Sequence, residues 1–572
     1  MTPTDTAVDT QIPVLVIGAG PAGLSTAMQL GRLGTRCLLV ERRPAVGTQP
    51  RAIGVRIRTM ELFRLWGIDE RIMLHCIPSR NGGELAWANS LAGEQYGRLS
   101  VDAVRDWPAH RGATPMMEAF VCQDAVEPIL IDALDGLPDV EVRLSTEVVG
   151  LDQTDDGVIA TLRDRASGEV TRVRAGHVAA CDGAGSPTRA ALGIDVAGPD
   201  ARASFVNIEF TAELADLVGD SPAVLTWIIN SRVSGTMIAQ DRRFARWLFS
   251  VFLRPGLPDP ADRDAFVPLI REAVGVPDLP VRVLRAQPWQ MDAKVAAAWR
   301  LGDVFLVGDA AHRFPPTGGF GLNSSIQDAH NLAWKLHAVH SGWAGAGLLD
   351  SYQAERRPIA EFNAAQSWRN MDSMAETGFT PEVHEFAARV EAERDAEEQP
   401  LHEQIRRGIS KQGPHLNPLG QDIGFGYNTG ALVREPGDPE HRPTLDFVPS
   451  GAAGRRAPYH VLYRDGAELS TLDLFEDVPV LLAGGDGEGW AAAARAVATR
   501  FGVPLRAVRV AADGELQDPS GTWGKVAGIG AAGACLVRPD GHVAWRTTDA
   551  AGADTEAVLD GVLNAVLSLG GG

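Results

Sequence analysis

Gly18, Gly20 and Gly23 fall within six residues of one another, between an apolar run (Val14-Leu15-Val16-Ile17) and the segment Leu24 to Leu33. Glycines at that spacing serve a phosphate. One makes a tight turn, one lets the backbone approach a pyrophosphate, and one lets a helix pack on a strand. Pro21 and Ala22 complete the turn. Glu41 stands eighteen positions past Gly23, close to the spacing of a carboxylate that takes a ribose hydroxyl. Two more apolar runs end in a carboxylate: His177 to Cys181 before Asp182, and Val304 to Val307 before Asp309. The loop Phe314 to Gly321 carries two prolines and three glycines and feeds a second helix. A helix N-terminus offers free N–H groups and a positive dipole end, so it can stabilise a negative charge that develops on a ring. NAD needs one such helix start. A flavin dinucleotide uses two, one for its pyrophosphate and one for the ring edge that becomes anionic on reduction.

The elements that position these groups are readable by pattern. The glycine turn leads into a helix stopped by Gly34, and Cys37 to Val40 is the next buried strand. Arg42 and Arg51 flank the loop that follows, and a helix runs from Arg58 to Leu65. Residues 75–115 are irregular and read as part of a second domain. Glu118 to Leu134 reads as a helix carrying Gln123, and residues 140–173 switch to the period of two expected of hairpin strands. Residues 200–285 read mostly as strands. Trp227, Met237, Trp247, Phe249 and Phe252 are candidate pocket residues there, although plain sheet core explains each one singly just as well. A long helix covers Asn323 to His340, and helical sequence continues to residue 409. Residues 410–455 are rich in proline and glycine and read as a linker. The remainder has its own strand-helix order and predicts a small α/β domain.

Composition narrows the function. At 572 residues the chain needs several cores. A formal net charge of -20 argues against nucleic acid or an anionic membrane as partner. No apolar run approaches a membrane span, and the N-terminal residues lack the pattern of a signal peptide. The five cysteines show no C-x-x-C and no metal-ligand spacing, which predicts a reducing cytoplasm and no metal.

Taken together, GAGPAGL with its later glutamate, CDGAGSPTR, and GDAAHRFPPTGGFGLNSSIQDAHNLAWKL resemble the class A flavoprotein aromatic hydroxylases over residues 12–365. The resemblance implies an FAD-binding Rossmann-like domain of the GR2 type, built from 1–190 and 286–409. It further implies a substrate-binding β-sheet domain at 191–285, to which 75–115 contributes. The segment 456–572, with Leu536-Val537-Arg538-Pro539-Asp540-Gly541, resembles the thioredoxin-like tail of the polyketide hydroxylase and phenol hydroxylase branches. It lacks C-x-x-C, so packing or a homodimer contact is its expected role. By the same resemblance Gly18, Gly20 and Gly23 hold the FAD pyrophosphate, Glu41 the adenosine ribose and Asp309 the ribityl chain. Gln123 lies near the phosphates. Pro316, Gly318, Gly319, Gly321, Leu322 and Asn323 pass under the flavin ring. Asp182, with Arg189, handles FAD and NADPH. Arg51 lies beside the flavin and is the candidate catalytic residue, and Phe320 borders the pocket.

The implied reaction uses NADPH or NADH and O2. A flavin C4a-hydroperoxide passes one oxygen to an electron-rich aromatic carbon. The nearest branch in layout, the tetracenomycin-type oxygenases, makes the expected substrate a polycyclic aromatic polyketide in antibiotic biosynthesis. A single-ring phenol such as a chlorophenol is the alternative, with Baeyer-Villiger insertion or antibiotic inactivation further options within the family. His312 reads as part of a structural turn, and no residue of the sequence stands out as a substrate base.

Overall fold

A computed structural model describes residues 8–47, 51–78, 83–201, 203–219, 222–380, 382–393, 399–416 and 419–570. The strand Thr10–Ile17 lies at the centre of the first sheet, parallel to Cys37–Val40 on one side and to Val170–Ala180 on the other. Val14, Leu15 and Val16 are fully buried, which is why this strand reads as a continuous apolar run rather than an alternating one. Val304–Leu306 and Val140–Arg143 extend the sheet in parallel. Val170–Ala180 is longer than the sequence suggests. Its first half pairs antiparallel with Gly157–Asp164, and its second half joins the parallel core. All three carboxylate-bearing turns thus open at the carboxyl ends of neighbouring parallel strands, where such sheets hold ligands.

The second sheet has seven strands. Arg282–Met291, Ala203–Thr211, Arg246–Phe252, Ser234–Ala239 and Leu225–Ile229 lie side by side, followed by Glu84–Ala88 and Gln95–Ser100 from the irregular region. Its two faces have separate cores. Phe205, Trp227, Phe252 and Trp87 face the first domain, whereas Val206, Met237, Trp247 and Phe249 face an outer layer with Phe266 and Ile270. The stretch read as one helix from Glu118 begins as a short strand, Ala119–Phe120, and is helical only over Gln123–Leu134.

The tail carries the expected fold. Val480–Ala483 pairs parallel with Arg506–Arg509 and antiparallel with Ala534–Val537, which pairs with Val543–Thr547. The helices Glu488–Phe501 and Thr555–Leu567 complete it. This unit is fused to the rest: Trp334, Trp343 and Leu348 share a core with Leu481, Trp490, Leu559 and Leu567. Each such burial contributes about 1.5–3 kcal/mol.

The segment 410–455 departs from its reading as a linker. Leu419 and Ile423 pack with Ile57 and Ala113, and Leu416 joins the main core. Proline and glycine here shape a connection that is buried over 419–427 and mostly half-buried or exposed over 432–450, clamped near its start by side chains: Arg105 donates to the Leu416 carbonyl and Arg56 to that of His415. Among the described residues, no helix is long and apolar enough to cross a membrane.

Candidate active site

The three glycines differ in what surrounds them. Gly18 has φ +101°, and a Cβ there would meet the Cys181 carbonyl oxygen at 2.5 Å. A Cβ on Gly23 would lie 1.8 Å from the Gly18 oxygen. These two glycines close the strand-turn-helix packing. A Cβ on Gly20 would meet nothing within 4 Å, so Gly20 faces the open side of the turn. Pro21 and Ala22 begin the helix Pro21–Arg32, whose N-terminus no side chain caps. Its free N–H groups are left for an anion.

Glu41 is buried beside that turn. Its Oε2 accepts from the Ala19 amide at 2.8 Å, and its Oε1 from Arg43 Nε at 2.8 Å. Burial alone would raise this carboxyl, but the bonds from Arg43 and Ala19 outweigh it and hold it below the usual range. Arg43 is thus the cation that orients Glu41; Arg42 is exposed like it, but it is Arg43 that pairs with the carboxylate. Only the geometry of the turn distinguishes the two adjacent arginines. Gln123 donates to Glu127 at 2.7 Å, and Glu127 accepts from the Gly47 amide. That chain ties the helix start to the loop beside the glycine turn. Residues 48–50, which precede Arg51 in that loop, lie outside the described residues.

Asp309 is half-buried and has no hydrogen-bond partner among the described residues. Burial raises its carboxyl, opposed by the nearby charges of His312, Arg51 and Arg313. Arg51 is exposed and close enough to influence both Asp309 and Glu127. Asp182 is used structurally: Ser186 Oγ and the Thr188 amide donate to it. Arg189 donates to the carbonyls of Ala310 and Ala184, so it fastens this turn to the one bearing Asp309. His312 is likewise structural, with Nε2 2.6 Å from Asp328 and its ring stacked on Phe314.

The second glycine loop ends at Gly319, in the left-handed region at φ +70°, where the long helix Phe320–His340 begins without a side-chain cap. The Gly319 amide donates to the Pro316 carbonyl. Gly318, at φ +108°, lies against the Phe320 ring and Asn370. Gly321 and Leu322 form the first turn. The Asn323 side chain is occupied: it donates to the carbonyls of Gly54 and Gly319 and accepts from the Arg56 amide. It holds the loop in shape.

Arg56 and His415 were not singled out by sequence, and they stand at the junction of the two domains. Arg56 donates to the Gly318 carbonyl and lies 5.7 Å from the centre of the Phe320 ring. His415 meets Trp227 edge-on at 6.2 Å, and Trp227 stacks on Trp87 at 4.5 Å. Phe252 is on the same face of the sheet, packed against Phe205 and Phe379. Met237 and Trp247 do not belong to this group. Register places Met237 opposite Phe249 and Trp247 opposite Ala239, all directed into the outer core. Strand alternation is the reason: Trp247 and Phe252 are five residues apart and must point to opposite faces.

The sheet topology and the two uncapped helix starts define a dinucleotide-binding flavoprotein architecture. Residues 11–367 match the family described as "FAD binding domain", and residues 450–568 match "Aromatic-ring hydroxylase, C-terminal". Aklavinone 12-hydroxylase RdmE of Streptomyces purpurascens is 37% identical over 98% of this chain and 99% of its own length. A 4-methyl-5-nitrocatechol 5-monooxygenase of a Burkholderia species is 34% identical over 99% of both. The crystal structure of the flavin-dependent monooxygenase PieE with FAD and substrate superposes with a TM-score of 0.90, at 33% identity, over 98% of this chain and 100% of that one. The chain belongs to the FAD-dependent aromatic-ring hydroxylases.

The residues present fit FAD. The unpartnered Asp309, the open face at Gly20 and the two free helix N-termini are the donors and acceptors that a ribityl diphosphate with a reducible ring requires. Bound FAD supplies the redox and oxygen chemistry, with NAD(P)H as reductant and O2 as co-substrate.

Proposed function

We propose that this enzyme hydroxylates a polycyclic aromatic polyketide, as a soluble cytoplasmic monooxygenase of antibiotic biosynthesis. One observation carries the reading. The sheet face that shares its core with Leu322 of the Gly318–Asn323 loop carries two largely buried stacked aromatic pairs, Phe205 on Trp289 and Trp87 on Trp227. A fused ring system matches such a surface in shape and in quadrupole. Gly18, Gly20, Gly23, Glu41, Gln123 and Asp309 bind the cofactor. Asn323 and Arg56 hold the loop beneath its ring. Trp227 and Phe320 exclude water and orient the substrate. Arg51, exposed near Asp309, is a candidate contact at the cofactor's edge rather than a general base. The tail acts by packing, and a dimer contact through it is compatible with this role.

The test is NAD(P)H oxidation by the FAD-loaded protein, measured with compounds from simple phenols to four-ring naphthacenequinones. Stimulation by multi-ring compounds, with product mass increased by oxygen, supports the proposal. Stimulation by single-ring phenols alone favours a second reading, a phenol monooxygenase, which the similarity to the Burkholderia nitrocatechol enzyme keeps in view.

A further inference from the structure

Six arginines are buried among the described residues, and five of them face a carboxylate. Arg58 meets Glu61 at 2.9 Å, Arg105 meets Glu118 at 2.5 Å, Arg356 meets Asp328 at 2.7 Å and Arg538 meets Glu355 at 2.7 Å. Arg456 lies 3.5 Å from Glu61. Arg56 is the sixth and has no carboxylate within ion-pair distance. Its Nε and Nη2 donate to the Gly318 carbonyl, and Nη2 also donates to the His415 carbonyl at 2.9 Å. Its Nη1 has no partner among the described residues. Carbonyl oxygens satisfy N–H groups but leave the charge uncompensated, and a buried charge is costly unless an anion meets it.

The surroundings supply carboxyls only at a distance. Glu118 pairs through Oε1 with Arg105, a second positive charge nearby, and acts on Arg56 only from beyond ion-pair distance. Asp422 is the other neighbouring carboxyl; it accepts from the Arg58 amide, and burial pushes it up to about 7. His415 donates from Nε2 to the Asn370 carbonyl, and burial together with Arg56 holds its ring down to about 4, so it is neutral at physiological pH. The guanidinium therefore lies against Phe320 and on the carbonyls of Gly318 and His415, with no carboxylate in contact with it. Arg56 thus stands where the Gly318–Asn323 loop, Phe320 and the His415 that meets Trp227 come together.

We propose that Arg56 binds an ionised hydroxyl oxygen, a phenolate, on the aromatic substrate. This makes Arg56 a specificity-determining residue. It selects rings that carry an ionisable hydroxyl and holds them in the electron-rich form that accepts an electrophilic oxygen. The inference rests on the polycyclic-substrate reading above. The one competing anion in the same place is the reduced flavin ring, and the test separates the two.

The probes are 2-hydroxyanthraquinone and 2-methoxyanthraquinone, titrated into the FAD-loaded enzyme across pH and followed by the visible phenolate band. The bound hydroxy compound should ionise at least one pH unit lower than it does free, a tenfold preference for the phenolate. It should bind about tenfold or more tightly than the methoxy compound wherever it is ionised. In variants reconstituted to full FAD occupancy, Arg56→Met should abolish both effects while the methoxy compound still binds, and Arg56→Lys should restore much of them. A phenolate shift that survives in Arg56→Met overturns the inference. So does a variant in which only the flavin reduction potential moves, since the anion is then the reduced ring. If Arg56→Met does not fold, the comparison of the two probes on the native enzyme decides: equal affinities overturn the inference. Failure of both probes to bind would sink the polycyclic-substrate reading itself, whereas methoxy binding without phenolate preference sinks only the role of Arg56.

Discussion

Arg538→Met should loosen the tail from the flavin domain, and the structure sets the size of the effect. Arg538 in the tail donates to Glu355 in the long helix Ser351–Met374 at 2.7 and 2.9 Å, and also pairs with Asp540. Lys335 reaches Glu355 at 2.7 Å, and Asn331 bridges Glu355 and Asp540. All four charged groups are at most 2% exposed. Two cations face two anions, so the cluster is neutral as built. Removing the Arg538 guanidinium leaves one buried negative charge uncompensated, which costs about 3–5 kcal/mol. Met fills most of the arginine volume, so the loss is electrostatic rather than a cavity. The assay is thermal unfolding followed by flavin fluorescence, paired with limited proteolysis around residues 433–455. The expected result is a midpoint lower by about 2–4 °C, since an unfolding entropy of about 2.1 cal/mol/K per residue makes each kcal/mol worth about 0.8 °C in a chain of 572 residues, with earlier cleavage of the tail. Arg538→Met combined with Glu355→Gln restores charge balance and should cost less than the sum of the single changes. A midpoint within a degree of the native protein would refute the reasoning.

The glycine turn gives a contrast between neighbours. Gly23→Ala should fail to fold or lose most stability, because its Cβ would lie 1.8 Å from the Gly18 oxygen, whereas Gly20→Ala should keep native stability without cofactor and weaken FAD binding roughly tenfold or more, measured by flavin titration. Asp309→Ala should reduce FAD retention, and Asp309→Asn should retain more of it, read as flavin per protein after gel filtration. Asp422 predicts a pH effect. Burial raises its carboxyl from 3.8 to about 7, so the folded state keeps the proton while the unfolded chain releases it. Stability from this group is therefore full below pH 4 and falls as pH rises to about 7, by at most about 4 kcal/mol. Asp422→Asn should be more stable than the native protein at pH 8 and no more stable at pH 4, in denaturant titrations at both pH values. Deleting residues 456–572 should impair stability or assembly more than flavin chemistry. A truncated protein that is stable and correctly assembled yet loses hydroxylation alone would contradict that role.

The parts legible in the sequence are those with local causes. The glycine turn, Glu41, the carboxylate-ended strands and the second helix start are each defined by residues a few positions apart, and strand burial writes itself as an apolar run. The two sheet faces were also legible in principle, since the odd spacing of Trp247 and Phe252 assigns them to opposite sides. Arg56 was not. Its distinction is the absence of a partner, and the groups that could have been partners come from residues 118, 318, 415 and 422, far apart in the chain. The segment 410–455 departs from a linker for a related reason: its proline and glycine content is the same whether the backbone is solvated or clamped by Arg56, Arg105 and Arg58.

The central claim is that FAD in this site transfers one atom of O2 to a polycyclic aromatic ring. The most direct measurement is the mass of the product formed from a multi-ring phenolic substrate under isotopically heavy O2 in ordinary water, with NAD(P)H. The account predicts one heavy oxygen per hydroxyl introduced, on the ring. Product oxygen derived from water, or NAD(P)H oxidation that releases only hydrogen peroxide with every ring tested, would contradict it.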